Sequence, residues 1–202
     1  MVSIPHQVYQ LTVSLNGIEP SIWRTIQVPD HYSFWDLHVA IQDAMGWKDY
    51  HLHEFVLINS HTRQEEIIGI PEEEDEFSRK TLAGWNLKIK DYWVEGQVID
   101  YVYDFGDGWT HTILLEKKLP VLSSVSYPCC IGGERACPPE DCGGVGGYLR
   151  LLDILFDPIH EEYSSMKQWV GEHFQPEEFD PKTIVFDNPR QRWEIAFHPN
   201  RR

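Results

Sequence analysis

The first 58 residues contain apolar patterns in the order strand, strand, helix, strand. Alternating apolar residues predict strands over 8–15 and 22–28, and a helical period predicts a helix over 34–45. Ser33 is a suitable N-cap for that helix, and residues 53–58 predict a third strand. This order is typical of a helix lying across one face of a sheet, so it favours an α+β fold.

The remaining chain predicts more strands and two helices. Strands are expected over 65–70, 98–105 and 110–116, and helices over 146–156 and 163–174. We therefore predict a mixed or mainly antiparallel sheet. One helix comes from the N-terminal ββαβ unit, and two C-terminal helices pack on the sheet.

The length of 202 residues predicts one domain over 1–202. The acidic segment 71–79 is expected to form an irregular loop, and its composition favours a solvated surface over a cation site. The tail 175–202 is rich in Pro, Asp, Asn and Arg and is also predicted to be irregular.

The formal net charge of −15 argues against duplex nucleic acid as a direct ligand, because that affinity depends on Lys and Arg. The first residues do not have the pattern of a secretory signal, and no apolar run is long enough to cross a bilayer. We expect a cytoplasmic protein that does not bind membranes. Its thiols would stay reduced in that compartment.

All four cysteines lie within 127–148, a segment rich in Gly and Pro that is expected to form turns. Cys130, Cys137 and Cys142, together with His111, could hold a structural zinc ion. However, the usual C-x-x-C spacing is missing. Inert thiols and a regulatory disulfide remain alternatives.

The Asp-Gly hairpin between the strands at 98–105 and 110–116 is a second candidate. Asp104, Asp107 and His111 could hold a divalent cation or act as an acid and base pair. The alternative is that both aspartates serve only the turn. Trp109 and His111 share one side of a strand, so both could line a pocket.

Two further segments carry polar and aromatic side chains. Glu140 and Asp141 are adjacent acids that precede a glycine pair, and His51 follows Trp47 by four positions. His38 and His53 are expected to be packed or hydrogen-bonded and not to act as ligands. The candidate ligand-binding residues are Trp47, His51, Trp109 and Tyr148.

Four segments resemble the plasmid pRiA4b ORF-3-like family over about residues 5–185. They are 9–28 with Ile22-Trp23-Arg24, 47–55, Tyr103-Asp104-Phe105-Gly106-Asp107-x-Trp109-x-His111, and Pro138-Pro139-Glu140-Asp141-Cys142-Gly143-Gly144-x-x-Gly147-Tyr148. The resemblance implies a single α+β domain of bacteria and archaea that is often encoded near mobile elements. Some relatives carry a resolvase label, but this chain has no recombinase serine motif. The resemblance assigns no reaction and no catalytic residue.

The leading interpretation is a binding or adaptor domain. Its pocket would lie between the 104–111 hairpin and the 127–148 segment and would accept a protein segment or a small molecule. One alternative is a metal-dependent hydrolase using Asp104, Asp107 and His111 with Glu140 or Asp141. Another is a structural zinc protein. The candidate cofactor is zinc or another divalent cation.

Overall fold

The structure is a computed structural model that describes residues 7–60, 62–71 and 80–198. The predicted acidic loop at 71–79 lies outside the described residues, except for Pro71.

The centre of the fold is one eight-stranded sheet with the strand order β5-β4-β3-β6-β7-β1-β2-β8. Its strands are β1 Gln7–Leu15, β2 Ile22–Pro29, β3 His53–Ile58, β4 Glu65–Gly69, β5 Thr81–Ala83, β6 Val98–Tyr103, β7 Trp109–Pro120 and β8 Cys129–Glu134. Neighbouring strands are antiparallel, except that β4 and β5 are parallel. The sheet is therefore mixed and mainly antiparallel, as predicted.

Helices pack around this sheet. They are α1 Phe34–Met45, α2 Gly144–Phe156, α3 Tyr163–Val170 and α4 Pro189–Phe197. Short 3₁₀ turns occur at Gly84–Asn86, Ile89–Asp91 and Pro181–Thr183. The predicted α+β class and the N-terminal ββαβ order are both confirmed.

Local sequence signals fix both ends of α1. The Ser33 hydroxyl accepts a hydrogen bond from the Asp36 N–H, and the Asp36 carboxylate accepts one from the Ser33 N–H, which forms a capping box. Gly46 ends the helix with a φ of +101°, a conformation that glycine adopts easily. Between these caps α1 buries Phe34 and Leu37 in the core.

The prediction of turns throughout 127–148 was wrong for its first part, where β8 pairs with the edge of β2. Gly133 lies so close to the Trp23 carbonyl oxygen that a Cβ there would overlap it. Glycine thus lets the two backbones approach closely enough to form a strand pair. The local composition suggested turns, but the free edge of β2 decides the structure.

The prediction of an irregular tail was wrong for 189–197, which form α4. Asn188 caps this helix by accepting hydrogen bonds from Arg190 and Gln191, and proline occupies its first turn. The ring of Trp193 packs edge-on against Trp35 of α1. Asn188-Pro189 followed by a helix-forming run is a helix start signal, which the composition of the tail did not reveal.

Across residues 7–60, 62–71 and 80–198, each helix is too short or too polar to traverse a membrane.

Candidate functional site

The turn between β6 and β7 is in direct contact with residues 127–148, the cysteine-rich segment. The Gly143 N–H donates a hydrogen bond to Asp107 Oδ2 over 3.0 Å. Beside it, Gly144 lies so close to Asp107 that a Cβ would overlap the Asp107 carbonyl oxygen. The φ of Gly144 is +66°, which costs glycine little. The two segments singled out in the sequence are therefore neighbours in the fold.

Residues 47–51, which connect α1 to β3, hold the same segment from another side. Trp47 Nε1 donates to the Pro138 carbonyl oxygen over 3.0 Å. The Lys48 N–H donates to Glu140 Oε1 over 2.6 Å. These bonds fix the position of the backbone that leads to Asp141.

Tyr103, the last residue of β6, connects these pieces. Its hydroxyl donates to the Glu140 carboxylate over 3.1 and 3.2 Å and accepts a bond from the Tyr50 N–H over 3.0 Å. Burial, followed by the Glu140 charge, raises the pKa of Tyr103 far above its ordinary value, so the hydroxyl stays protonated. Glu140 therefore serves to position the cysteine-rich segment.

His51, Asp104 and Asp141 bring three potential metal ligands together. His51 Nε2 lies 2.9 Å from Asp141 Oδ1 and 3.5 Å from Asp104 Oδ2. One ligand atom from each residue lies within 4.8 Å of the other two. The Asp141 side chain is 65% exposed and that of Asp104 only 9%. The cluster therefore has one buried and one open carboxylate.

The Asp104 carboxylate is oriented by its own turn. Asp104 Oδ1 accepts hydrogen bonds from the Gly106 N–H over 2.9 Å and the Asp107 N–H over 3.3 Å. Because Oδ1 is occupied in this way, Oδ2 is the oxygen that faces His51. Asp104 itself has a φ of +55°, an uncommon value for a residue other than glycine.

A recess of about 410 Å³ lies next to the cluster. Asp141 and Cys142 line one side of it, and Arg150, Met166 and Trp169 of α2 and α3 line the other. Arg150 lies at its edge and pairs with Glu162 over 2.6 Å. The lining combines apolar side chains with a few charged groups, as small-molecule sites commonly do.

Asp107 and His111 do not join the cluster. The Asp107 carboxylate accepts the Gly143 N–H, as described above. His111 is fully buried, with Nδ1 3.3 Å from the Tyr101 carbonyl oxygen and its ring edge-on to Trp47. The alternation of β7 turns His111 toward the core, away from the turn that carries Asp104.

Most of the candidate ligand-binding residues form part of the core. Trp47, Trp109 and Tyr148 are all almost fully buried and belong to the main hydrophobic cluster. Trp47 packs against Trp109 with ring centroids 5.9 Å apart. Of this set, His51 is the residue that reaches the surface, with 31% of its side chain exposed.

The cysteines are not gathered into a ligand set in the described part of the chain. Cys130, Cys137 and Cys142 do not form a group with His111 whose ligand atoms converge within 4.8 Å. Burial, followed by the charge of Asp107, raises the pKa of Cys142 to about 12. Burial also raises the pKa of Cys137 well above its ordinary value. These environments favour the neutral thiol form of both side chains.

Comparison with known proteins shows the family to which this chain is similar. The family described as plasmid pRiA4b ORF-3-like protein matches residues 7–183. The chain belongs to the pRiA4b ORF-3-like family. An uncharacterized protein, y4hQ, from Sinorhizobium fredii (strain NBRC 101917 / NGR234) is 33% identical over 165 residues, which is 81% of each chain.

The crystal structure of a protein of unknown function, MM3350, from Methanosarcina mazei Go1 has the same fold as this family member. It superposes with a TM-score of 0.84 at 45% identity, over 91% of this chain and 100% of the other. His51, Asp104 and Asp141 all fall inside the part that matches the family. The α4 helix begins after that part ends.

His38 and His53 are packed or hydrogen-bonded, as expected, and they form a second group of potential ligands with Asp49, which the sequence had not indicated. His38 Nε2 is 2.7 Å from Asp49 Oδ1, and His38 Nδ1 is 2.8 Å from the Tyr101 hydroxyl. His53 is buried, and its Nδ1 has no hydrogen-bond partner in the described structure. The position of His38 on the apolar face of α1, four residues after Phe34, predicted the burial but not this network.

The ring geometry of this second group does not suit a shared metal ion. The rings of His38 and His53 stack with centroids 3.4 Å apart and an interplanar angle of 7°. A metal lies close to the plane of each imidazole that binds it, and two parallel stacked planes cannot both contain one ion. We therefore interpret the group as a buried hydrogen-bonded and stacked network.

Burial of His111 is expected to make stability depend on pH. Burial lowers the pKa of His111 from 6.5 to about 4. Below about pH 6.5 the unfolded chain takes up a proton that the folded chain resists, so stability falls until about pH 4. Over that range the unfolding free energy of the wild type should fall by up to about 1.4 kcal/mol more per pH unit than that of His111→Phe. Urea unfolding at pH 7, 6, 5 and 4 measures this difference, and parallel profiles would contradict it.

Proposed function

We propose that this protein is a ligand-binding domain that uses a divalent cation held by His51, Asp104 and Asp141. The observation that carries the proposal is the convergence of these three side chains, one of which, Asp141, also lines the 410 Å³ recess. The ion would hold an anionic or oxygen-rich group of a ligand, whose apolar part would contact Met166 and Trp169.

The ligand set suits a borderline or hard cation. Imidazole nitrogen and carboxylate oxygen are ligands for Zn²⁺ and Mn²⁺, and the two aspartates would balance the charge of the ion. Three protein ligands leave coordination positions open, as in sites where the ion contacts a ligand or water. The Oδ1 bonds of Asp104 to the turn amides would orient this carboxylate.

A histidine shared by two aspartates would give the same short distances without an ion, so the test must detect the ion itself. Mn²⁺ titration followed by electron paramagnetic resonance suits this purpose, because Mn²⁺ prefers oxygen and nitrogen ligands to thiols. The wild type is expected to bind one equivalent. Asp104→Asn and His51→Gln should each weaken binding by about tenfold or more.

Asp100→Asn is the matched control for this titration. Asp100 lies on β6, the strand that precedes Asp104, but its side chain is exposed and it is not part of the cluster. Mn²⁺ affinity of this variant should equal that of the wild type. Equal affinity in the wild type and in Asp104→Asn would overturn the proposed site.

Metal-dependent hydrolysis is the second candidate, favoured by the open coordination positions that three ligands would leave. A bound ion would supply Lewis acidity toward a phosphoester or amide. In this geometry Asp104 and Asp141 would act as ligands with His51, in place of the predicted Asp107 and His111. Hydrolysis of p-nitrophenyl phosphate by Mn²⁺-loaded protein, lost in Asp104→Asn, would support catalysis. The same low rate in both proteins would leave ligand binding as the function.

A further inference from the structure

An exposed apolar surface surrounds the connection between α2 and α3. Phe156 and Ile159 are each 91% exposed, an uncommon state for two large apolar side chains so close together. Both lie in well-defined secondary structure or in the short turn that follows it. Contiguous exposed apolar groups on a soluble fold commonly mark sites of protein interaction. We refer to Phe156, Ile159 and the adjoining cavity as the α2–α3 surface.

The cavity gives this surface depth. Its volume is about 510 Å³, and it lies on a different part of α2 and α3 from the recess beside Asp141. Leu152, Leu155, Tyr163 and Phe174 supply most of its apolar lining, and Phe156 stands at its edge. A cavity of this size can hold one large aliphatic or aromatic side chain of a partner.

The part of the chain that forms this surface is mostly acidic, although Arg150 and Arg135 pair with two of its glutamates. Residues 151–180 include one lysine, Lys167, and the following acids: Asp153, Asp157, Glu161, Glu162, Glu172, Glu177, Glu178 and Asp180. Asp153, Lys167 and Glu177 line the cavity itself, with Glu177 paired to Arg135, and the exposed acids Asp157 and Glu161 flank Ile159 along the chain. A partner with basic residues around an apolar anchor would complement both properties of the surface.

The same charges disfavour three other occupants of this surface, namely a second copy of the chain, nucleic acid and an anionic lipid surface. A second copy of this chain would bring two acidic rims together, and like charges across an interface oppose association. Nucleic acid and anionic lipid surfaces would be repelled for the same reason. The apolar cavity with its acidic rim matches the way in which amphipathic helices dock into grooves.

We propose that the α2–α3 surface docks a basic amphipathic segment of a partner protein, with one large apolar side chain inserted in the cavity. This interaction is separate from the cation site, because none of the three proposed metal ligands lines the cavity. The basic residues of the segment would face the acidic rim. Binding should therefore weaken as salt concentration rises.

Fluorescence anisotropy with three labelled helical peptides tests this proposal. Each peptide has about 15 residues, enough for about four helical turns. The first carries Lys and Arg with Leu and Trp anchors, the second keeps the anchors with Glu in place of the basic residues, and the third keeps the basic residues with Ala anchors. The first should bind at least about tenfold more tightly than either of the others.

Two variants test whether the first peptide binds at the α2–α3 surface. The double variant Phe156→Ser/Ile159→Ser should weaken binding of the first peptide by about tenfold or more, and because both side chains are exposed the fold should be retained. Ile58→Ser is the control, since Ile58 is an exposed apolar residue at the end of β3. Equal binding of the basic and acidic peptides would overturn the proposal. So would unchanged binding in the double variant, or a concentration-dependent dimer that the peptide does not disrupt.

Discussion

Arg24→Met is expected to destabilise the fold by about 4 kcal/mol, one of the largest effects of any single substitution. Arg24 is 1% exposed, and its guanidinium donates to four backbone carbonyl oxygens. They belong to Trp23, Ala44, Glu134 and Arg135 and lie 2.8–2.9 Å away. Methionine keeps most of the apolar stem but leaves buried acceptors without donors, which is costly.

These bonds explain why the effect should exceed that of a single hydrogen bond. They connect β2 to the C-terminal end of α1 and to the end of β8, so one side chain joins three elements. The ring of Phe179 also lies 3.6 Å from the guanidinium carbon and covers it. Loss of Arg24 should therefore loosen β8 and the cysteine-rich segment beyond it.

The measurement is urea unfolding of the wild type and two arginine variants. Arg150→Met is the matched control, because Arg150 is 70% exposed and its ion pair with Glu162 lies at the surface. That control should change stability by less than about 1 kcal/mol. If Arg24→Met unfolds at the same urea concentration as Arg150→Met, the buried network does not stabilise the fold as described.

Gly147→Ala is expected to destabilise the protein by about 3 kcal/mol. A Cβ at Gly147 would overlap the carbonyl oxygen and carbon of Cys142, which are backbone atoms with little freedom to move. The backbone of Cys142, just before α2, lies against the first turn of the helix at this point. A methyl group there would push the segment, and with it Asp141, away from His51.

Gly146→Ala provides a control on the same helix turn. A Cβ at Gly146 would meet nothing within 4 Å, and both substitutions gain the same intrinsic helix propensity of up to about 1 kcal/mol. The difference in unfolding free energy between the two variants therefore isolates the overlap with Cys142. Gly146→Ala should be neutral or stabilising. Two variants of equal stability would show that the segment does not pass this close to α2.

The periodicity of the sequence was sufficient to predict elements stabilised by local signals. The predicted limits of α1 and β3 agree with the structure, because Ser33 and Gly46 cap the helix and turn residues bound the strand. β8 was not predictable in the same way. It exists because β2 offers a free edge and Gly133 permits a close approach, and both are tertiary conditions.

The candidate site was only partly predictable for a related reason. The sequence identified Asp104, Asp141 and His51 as chemistry-bearing residues in three separate segments. However, it grouped Asp104 with Asp107, His111 and Glu140 or Asp141, and it left His51 out of that group. Spacing along a chain cannot show that the Asp104 carboxylate, which bonds to its own turn amides, also faces His51, whereas the Asp107 carboxylate bonds to Gly143 of another segment. This arrangement depends on the Gly143 contact and on the bonds of residues 47–51 to the cysteine-rich segment.

The most direct test of the central claim is anomalous X-ray diffraction at the zinc edge from crystals of this protein soaked with Zn²⁺. Zinc is a more demanding probe than Mn²⁺, because it also binds thiolates and histidine pairs. The cysteines and the stacked His38 and His53 would therefore compete for zinc if their geometry allowed it. The account predicts one strong peak within about 2.0–2.2 Å of His51 Nε2 and of carboxylate oxygens of Asp104 and Asp141. A strong peak at the cysteines or between His38 and His53, with none at His51, would contradict it.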